Sequence, residues 1–174
     1  NEEKRIGKTL EEYSRYFNGL LKKKKLDYEI LVVINNTRDK TEEIVKRHKR
    51  KDSHISYLNF KEGGKGFAVI QGFKDALGRN NDFLGFVDAD MATSPDEFYH
   101  LLTRIGNFDG AIASRYIKGA VVKPKQSIQR IIASRIFNMF IRAILLISYR
   151  DTQCGAKIFR REAIEKIIPY LSMS

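Results

Sequence analysis

The sequence predicts an α/β domain in which a mostly parallel central sheet is flanked by helices. Strand-like apolar runs alternate with amphipathic helical segments, the connections between them are short, and 43% of the 174 residues are hydrophobic. Short strand–helix–strand connections favour parallel strands with helices on both faces. A chain of this length can form one domain with its own core, so we expect residues 1–174 to fold as a single domain.

The first part of the chain alternates helix, strand, helix and strand. Apolar residues recur at helical spacing over residues 6–21, which predicts an amphipathic helix. The near-continuous apolar run 28–34 is typical of a strand buried on both faces. Asp39 or Thr41 can cap the helix that follows, and residues 55–60 have the pattern of the next strand.

The second part continues the alternation. A glycine-rich turn at residues 63–66 opens a helix that runs to residue 77, and an apolar strand follows at residues 83–87. Ser94, Pro95 and Glu97 predict a helix start with a capping box. The remaining predicted elements are a strand at 110–113, a long amphipathic helix at 127–148 and a last helix at 162–171.

Composition and charge narrow the class of protein. The single cysteine, Cys154, excludes an internal disulfide framework, so we expect a reducing compartment. No run of about 20 uncharged apolar residues would span a bilayer. The net charge of +11 favours anionic partners such as a nucleotide, a lipid phosphate or a membrane surface. The lysine clusters at 22–25 and 46–51 have a simpler alternative as solvated helix ends.

Two aspartates follow the apolar run 83–87. Asp88 and Asp90 are spaced i and i+2, so they point to the same side if strand geometry continues through them. Two carboxylates at the carboxyl edge of a sheet suit a divalent cation, which can in turn hold a diphosphate. The pattern makes both residues candidate metal ligands, although Asp-x-Asp is also common in ordinary loops.

Other polar residues fall at the same predicted edge. Ligands of parallel α/β sheets bind beyond the carboxyl ends of the strands, where Asn35 and Asp39 also lie. The glycines around Lys65 allow close approach of the backbone and the lysine supplies positive charge, although the spacing is not that of a Walker loop. Each has an ordinary alternative: Asn35 as a turn residue, Asp39 as a helix cap and Lys65 as an exposed lysine.

Seven segments match a known set of motifs in chain order. They are Asn1-Glu2-Glu3, the loop 35–41, residues 64–69, Asp88-Ala89-Asp90, Ala113-Ser114-Arg115-Tyr116, the spaced set Arg130, Ser134, Arg135 and Asn138, and the run 151–159. Together they resemble the motifs of the inverting family-two glycosyltransferases, which include dolichyl-phosphate mannose and glucose synthases. The run 151–159 is very similar to the Asp-Thr-Gln-Cys-Gly-Phe-Lys-Leu-Phe segment of the glucose branch.

The resemblance implies a fold and a set of site residues. The fold is the nucleotide-diphospho-sugar transferase (GT-A) fold, and residues 1–174 are expected to form one catalytic domain that lacks its first strand and C-terminal part. The implied catalytic residues are Asp88, Asp90 and Asp151, with Asp88 and Asp90 holding Mg²⁺ or Mn²⁺. The implied donor-binding residues are Asn35, Asp39, Lys65 and Asp88. The implied acceptor-phosphate residues are Arg115, Arg130 and Ser134.

The resemblance also implies a reaction. A hexose moves with inversion to a polyprenyl or dolichyl phosphate, on the cytoplasmic face of a membrane to which the protein is peripheral or is anchored by segments outside these residues. Ala92 stands where the mannose branch has glutamine, which favours UDP-glucose as donor. Asn35 departs from the family's aspartate, whose hydrogen bond to the base an amide oxygen makes without charge.

Several alternatives stay open from the sequence. The same fold could use GDP-mannose or a glycan acceptor, or bind donor without turnover. Ion pairing would explain Arg115 and Arg130, and capping or a salt bridge would explain Asp151. The segment 131–147 suits either an interfacial helix that guides a lipid or a core helix. A basic nucleic-acid-binding module is disfavoured because the lysines are not interleaved with exposed aromatic residues.

Overall fold

The structure, a computed structural model, describes residues 1–114, 151 and 154–171. Its helices and strands, in chain order, are α1 Ile6–Lys22, β1 Ile30–Asn35, α2 Thr41–Lys51, β2 Ile55–Phe60, α3 Lys65–Leu77, β3 Phe83–Phe86, α4 Pro95–Arg104, β4 Gly110–Ile112, β5 Lys157–Arg160, α5 Arg161–Ile167 and a 3₁₀ turn Ile168–Tyr170. The helix predicted at 127–148 lies outside the described residues.

The described strands form two hydrogen-bonded groups. Strands β1 and β2 pair in parallel, with Ile30 opposite Ile55. Strand β5 lies between β3 and β4 and is antiparallel to both. Strands β3 and β4 therefore run in one direction, and only β5 is reversed between them. Strand β4 was predicted from the sequence, whereas β5 was not.

The carboxyl ends of β1 and β3 meet at one edge of the molecule. Asn35, the last residue of β1, hydrogen-bonds to Gly64 just before α3. Lys65, the first residue of α3, contacts Asp88 shortly after β3. Four of the five described strands thus point towards this edge, which is the mostly parallel α/β arrangement that the alternating pattern predicted.

Helices α1 and α2 cover one face of the β1–β2 pair. Alternate residues of β1 face this layer, and Ile34 is buried there together with Ile6, Leu10, Val45 and Ile55. Helix α3 packs on the other face of β1, where its Gly72 allows close approach: a Cβ on Gly72 would lie 3.1 Å from Val33 Cγ2. The burial of β1 on both faces explains its continuous apolar run.

Helices α1 and α3 also reach the second strand group, from opposite faces. On one side, Phe73 of α3 is buried with Leu84 and Ile164 and meets the rings of Phe86 and Phe159 edge-on, each at 6.1 Å between centroids. On the other side, α1 packs its aromatic residues against the loop after β3 and against α4. These two helices therefore hold both groups of strands in one core.

Local signals explain where several elements begin and end. The capping box at α4 is present, since Glu97 Oε2 accepts hydrogen bonds from the backbone amide and the hydroxyl of Ser94 at 3.1 and 3.0 Å. The last helix was predicted over 162–171 but ends at Ile167, because Pro169 has no N–H and forces the chain into a 3₁₀ turn.

Candidate active site

The loop that follows β3 carries the two candidate metal ligands. Because β3 ends at Phe86, strand alternation does not orient Asp88 and Asp90. Asp88 Oδ1 lies 2.5 Å from the Nζ atom of Lys65, and Asp90 Oδ2 lies 3.8 Å from Nη1 of Arg5. Each carboxylate therefore faces a cation, one at the start of α3 and the other just before α1.

The backbone of this loop makes a tight turn around Asp90. Asp90 Oδ1 accepts a hydrogen bond from the Ala92 amide at 3.0 Å, and Met91 adopts a left-handed conformation with φ 61°. A non-glycine residue in this region stores about 1–3 kcal/mol of strain and persists only where its surroundings enforce it. The turn thus leaves Asp90 Oδ2 as the oxygen that faces Arg5.

Helix α1 holds the same loop with two buried hydroxyl groups. Thr9 Oγ1 donates to the carbonyl of Ala89 at 2.7 Å, and the Tyr13 hydroxyl donates to the carbonyl of Thr93 at 2.9 Å. Burial, with a smaller contribution from Glu97 and Asp96, raises the pKa of Tyr13, so its hydroxyl stays a donor further into the alkaline range than an ordinary tyrosine. Neither Thr9 nor Arg5 was predicted from the sequence, and Tyr13 fell only within the amphipathic pattern over residues 6–21.

Asn35 joins the end of β1 to the glycine loop. Its Nδ2 donates to the carbonyl of Gly64 at 3.0 Å, a bond that an aspartate could not make. Gly64 has φ 115°, which requires glycine, and Asn36 has φ 47°, a left-handed conformation that asparagine tolerates. Asn35 is thus the end of a strand and bonds to a distant loop carbonyl, not to its own backbone as the turn-residue alternative predicted; its contact with a donor stays a prediction.

Asp39 uses both carboxylate oxygens within the protein. Oδ1 accepts hydrogen bonds from the Thr41 amide and hydroxyl at 3.0 and 2.6 Å, and Oδ2 accepts from the Glu3 amide at 3.1 Å. Desolvation alone would raise the pKa of Asp39, but these bonds outweigh it and lower the pKa. Asp39 therefore orders the start of α2 and ties residues 1–3 to it, although Lys40 and not Asp39 occupies the capping position of the helix.

The remaining predicted site residues lie towards the C-terminal part. Asp151 is described and buried, with 2% of its surface exposed. Arg115, Arg130 and Ser134, the predicted acceptor-phosphate residues, lie outside the described residues.

A groove of about 660 Å³ adjoins Asp39 and is lined by residues 1–5 and Arg38 as well.

The donor set fits a magnesium-type ion that is shared with a phosphate ligand. Within residues 1–114, 151 and 154–171, no three His, Cys, Asp or Glu side chains form a complete metal site. Asp88 and Asp90 supply two hard oxygen ligands, with side chains 37% and 38% exposed. Proteins usually bind Mg²⁺ through one or two carboxylates plus substrate phosphates and water. Two accessible carboxylates beside two cationic side chains match that pattern.

Comparison with known proteins supplies the family. The family model described as "Glycosyl transferase family 2" matches residues 1–168. Dolichyl-phosphate beta-glucosyltransferase of Dictyostelium discoideum is 30% identical over 98% of this chain and 54% of its own length. Dolichyl-phosphate beta-glucosyltransferase ALG5C of Trichomonas vaginalis is 34% identical over 97% of this chain and 52% of its own. Dolichol-phosphate mannosyltransferase of Pyrococcus furiosus is 33% identical over 89% of this chain and 43% of its own.

These matches identify the family of the chain. The chain spans about half the length of the curated relatives that it matches. The family model nevertheless covers all of the described elements except the end of the last turn. The chain therefore belongs to glycosyl transferase family 2, and its α/β architecture is the nucleotide-diphospho-sugar transferase (GT-A) fold that its motifs predicted.

Proposed function

We propose that this chain forms the catalytic domain of an enzyme that transfers a hexose, with inversion, from a nucleotide sugar to a polyprenyl or dolichyl phosphate. The names of its relatives, which include glucosyltransferases and a mannosyltransferase of such phosphates, support this class of reaction. UDP-glucose is the donor that we favour because Ala92 replaces the glutamine of the mannose branch. GDP-mannose is the alternative donor.

One observation carries the proposal: the loop after β3 carries two accessible carboxylates, each paired with a cationic side chain from another element. Lys65 contacts Asp88 and Arg5 faces Asp90, all on accessible side chains. A nucleoside diphosphate carries the charge that such a mixed cluster recognises, because its phosphates pair with the lysine and arginine. Ligands of open α/β sheets bind at this edge.

The chain's own residues bind and orient the donor in this scheme. Asp88 and Asp90 hold Mg²⁺ or Mn²⁺, which when bound neutralises charge on the departing nucleoside diphosphate. Lys65 turns its ammonium group from Asp88 towards the diphosphate. Asn35 and Asp39 shape the nucleotide side of the edge through their bonds to the Gly64 carbonyl and to the start of α2.

The acceptor end of the site needs a phosphate clamp and no strong base. We assign the clamp to Arg115, Arg130 and Ser134, since guanidinium groups bind phosphate in a bidentate manner. The anionic phosphate oxygen is itself the nucleophile, and it forms a bond to the sugar's anomeric carbon as the bond to the nucleoside diphosphate breaks. Asp151, which is 2% exposed, then acts as a supporting residue at this end and not as a proton acceptor from solvent.

A lipid-linked acceptor places the reaction at a membrane surface. None of the helices in the described parts of the chain has the length and apolarity needed to cross a bilayer. We propose association with the cytoplasmic face, helped by the net charge of +11 acting on anionic lipids and by any anchor elsewhere in the protein.

The first test is the substitution Asp90→Asn in the intact protein. We expect metal-dependent transfer to fall by about 100-fold or more, because one ligand of the charge-neutralising cation is lost. Transfer is measured with UDP-glucose and GDP-mannose, each offered dolichyl phosphate or a free sugar. The melting temperature should change little, since the side chain of Asp90 is 38% exposed.

Asp82→Asn is the matched control. Asp82 is exposed and immediately precedes β3, at the end opposite to Asp90, so its substitution makes the same chemical change away from the site. It should leave transfer unchanged. Full activity of Asp90→Asn, or transfer to free sugars but not to dolichyl phosphate, would contradict the proposed function.

A further inference from the structure

Gly155 lies directly against Asp88 because of the pairing between β3 and β5. The last bonded pair of this ladder is Phe86 with Lys157, and the same register continued by two positions brings Asp88 opposite Gly155. On the other side of β5, the Ala113 amide donates to the Ala156 carbonyl at 3.0 Å, so this pairing also extends past the strand ends. Gly155 therefore lies just before β5, beside the loop after β3 that carries Asp88.

The carboxylate of Asp88 occupies the space that a side chain at position 155 would take. A Cβ atom built on Gly155 would lie 2.0 Å from Asp88 Oδ2 and 2.5 Å from its Cγ. Contacts below 3.0 Å require displacement of one partner. Among the described glycines, only Gly64 and Gly106 have a positive φ, so the conformation of Gly155 does not itself require glycine. The required feature is the empty space beside Cα.

The opposite side of the same carboxylate meets Lys65. Its ammonium group is 2.5 Å from Asp88 Oδ1, whereas Gly155 backs Oδ2 and Cγ. The Asp88 side chain has few rotatable bonds, so it cannot move away from position 155 without changing the direction of both oxygens. The carboxylate therefore lies between the backbone of Gly155 and the ammonium group of Lys65, and a side chain at position 155 would turn it out of this place.

We infer that Gly155 is a positioning residue for Asp88: the absence of a side chain at position 155 sets the direction of the carboxylate at the donor edge. The inference rests on the proposed function for what Asp88 holds, a divalent cation with the diphosphate of the donor. It makes Gly155 part of the site through shape alone, with no contact to any ligand required.

A double-mutant cycle tests the contact without any ligand. Gly155→Ala should lower the melting temperature of the intact protein, and the same substitution should be nearly neutral in an Asp88→Ala background, where the colliding atoms are gone. Equal loss in both backgrounds would overturn the inference, because the added methyl would then collide with something other than Asp88.

Binding of Mn²⁺ together with UDP, measured by calorimetry, tests the consequence. We expect Gly155→Ala to weaken Mn²⁺ binding about 10- to 100-fold, the usual effect of disturbing the support of a metal ligand. Gly110→Ala is the control: its Cβ would come 2.5 Å from Phe159 Cδ1 within the same strand group, so it should lower the melting temperature and leave Mn²⁺ affinity unchanged.

The two experiments separate the inference from the function on which it rests. If the wild-type protein bound neither Mn²⁺ with UDP nor Mn²⁺ with GDP while the cycle still showed coupling, the proposed function would fail and the placement of Asp88 by Gly155 would stand. If the wild type bound and Gly155→Ala bound equally well, the positioning role would be wrong.

Discussion

The ammonium group of Lys65 contacts the carboxylate of Asp88, the residue that the proposed function assigns to a divalent cation. The pair is accessible, with the lysine side chain 61% and the aspartate side chain 37% exposed. An exposed ion pair of this kind is worth about 0.2–1 kcal/mol. Under the proposed function, the lysine is therefore a weak competitor for free metal and would become a ligand for the diphosphate once the donor is bound.

Lys65→Met should affect metal and donor in opposite directions. Removing the competing ammonium group should tighten binding of free Mn²⁺ by no more than about fivefold. Loss of a phosphate contact should at the same time raise the KM for the nucleotide sugar. Calorimetry with Mn²⁺ alone and steady-state kinetics measure the two effects.

Lys74→Met provides the comparison for this variant. Lys74 is exposed on the same helix and should change neither quantity. Weaker binding of free Mn²⁺ in Lys65→Met would contradict the competition between ammonium group and metal.

Those residues of the candidate site whose side-chain type itself indicates a function were predictable from the sequence. Asp88 and Lys65 were recognised because carboxylates and a glycine-flanked lysine carry functional patterns at a strand end and a helix start. Arg5 was not, because its relation to Asp90 joins segments far apart in the sequence. Gly155 was quoted within a motif, but its contact with Asp88 follows only from the pairing of β3 with β5.

Helix α1 is a core helix that also supports the loop carrying Asp88 and Asp90, the candidate metal ligands. Its apolar residues bury against β1 and α4, while Thr9 and Tyr13 bond to carbonyl groups of the loop on either side of Asp90. From sequence alone, a hydroxyl residue within an apolar stripe is taken for a core residue. Its hydrogen bond to the loop can be predicted only when the packing partner of the helix is known.

Thr9→Val should test this support at nearly constant side-chain volume. Thr9 is 5% exposed, so the substitution leaves the carbonyl of the partly buried Ala89 without its donor. The expected loss is about 1–3 kcal/mol in the free energy of unfolding, measured by urea denaturation. We also expect weaker Mn²⁺ binding in the presence of UDP, because the loop that carries Asp88 and Asp90 loses an anchor.

The control for Thr9→Val is Thr103→Val. The hydroxyl of Thr103 donates within α4 to His100 at 3.2 Å and is exposed, so its loss is compensated by water. An equal loss of stability in both variants would show that the Ala89 contact has no special weight.

Strand β5 shows where prediction from local pattern stops. Its four residues include two basic ones and no clear apolar alternation, and α5 begins at the very next residue. Only pairing with β3 and β4 makes this segment a strand. The longer elements α1, β2 and α3 were predicted closely because their burial on the sheet is expressed as periodic hydrophobicity within one segment.

At the end of the β1–β2 pair opposite to the candidate site, a polar cluster links the segments that precede the two strands. Asp52 Oδ1 lies 2.9 Å from His54 Nδ1, and the Tyr28 hydroxyl donates to Asp52 Oδ2 at 3.3 Å. The rings of Tyr28 and His54 stack with centroids 4.6 Å apart. Burial, reinforced by the nearby Asp52 carboxylate, raises the pKa of Tyr28 to about 12.

The shifted groups in this cluster predict how stability depends on pH. Below about pH 10, Tyr28 is protonated in both folded and unfolded chains; between about pH 10 and its folded pKa only the unfolded chain ionises, so stability falls as pH rises. Desolvation alone would raise the pKa of Asp52, but hydrogen bonds from His54 outweigh it and lower the pKa. The stability that Asp52 contributes is therefore lost as pH falls through its folded value.

Urea denaturation between pH 3 and pH 11 measures both effects. We expect Tyr28→Phe to reduce the alkaline decline, to which the buried Tyr13 also contributes, and Asp52→Asn to reduce the acid decline. Tyr170→Phe, at a residue that is 85% exposed, should leave the profile of the wild type unchanged. An alkaline decline of full size in Tyr28→Phe would show that other groups cause it.

The position of β5 between two strands that precede it in the chain has a consequence during protein synthesis. Within the described strands, β3 and β4 have no other hydrogen-bonded partner. Both leave the ribosome before the segment from Lys157, so their pairing with β5 forms only after that segment emerges. A nascent chain that stalls before that point carries Asp88 without Gly155 beside it, so the neighbourhood of this carboxylate is completed late in translation.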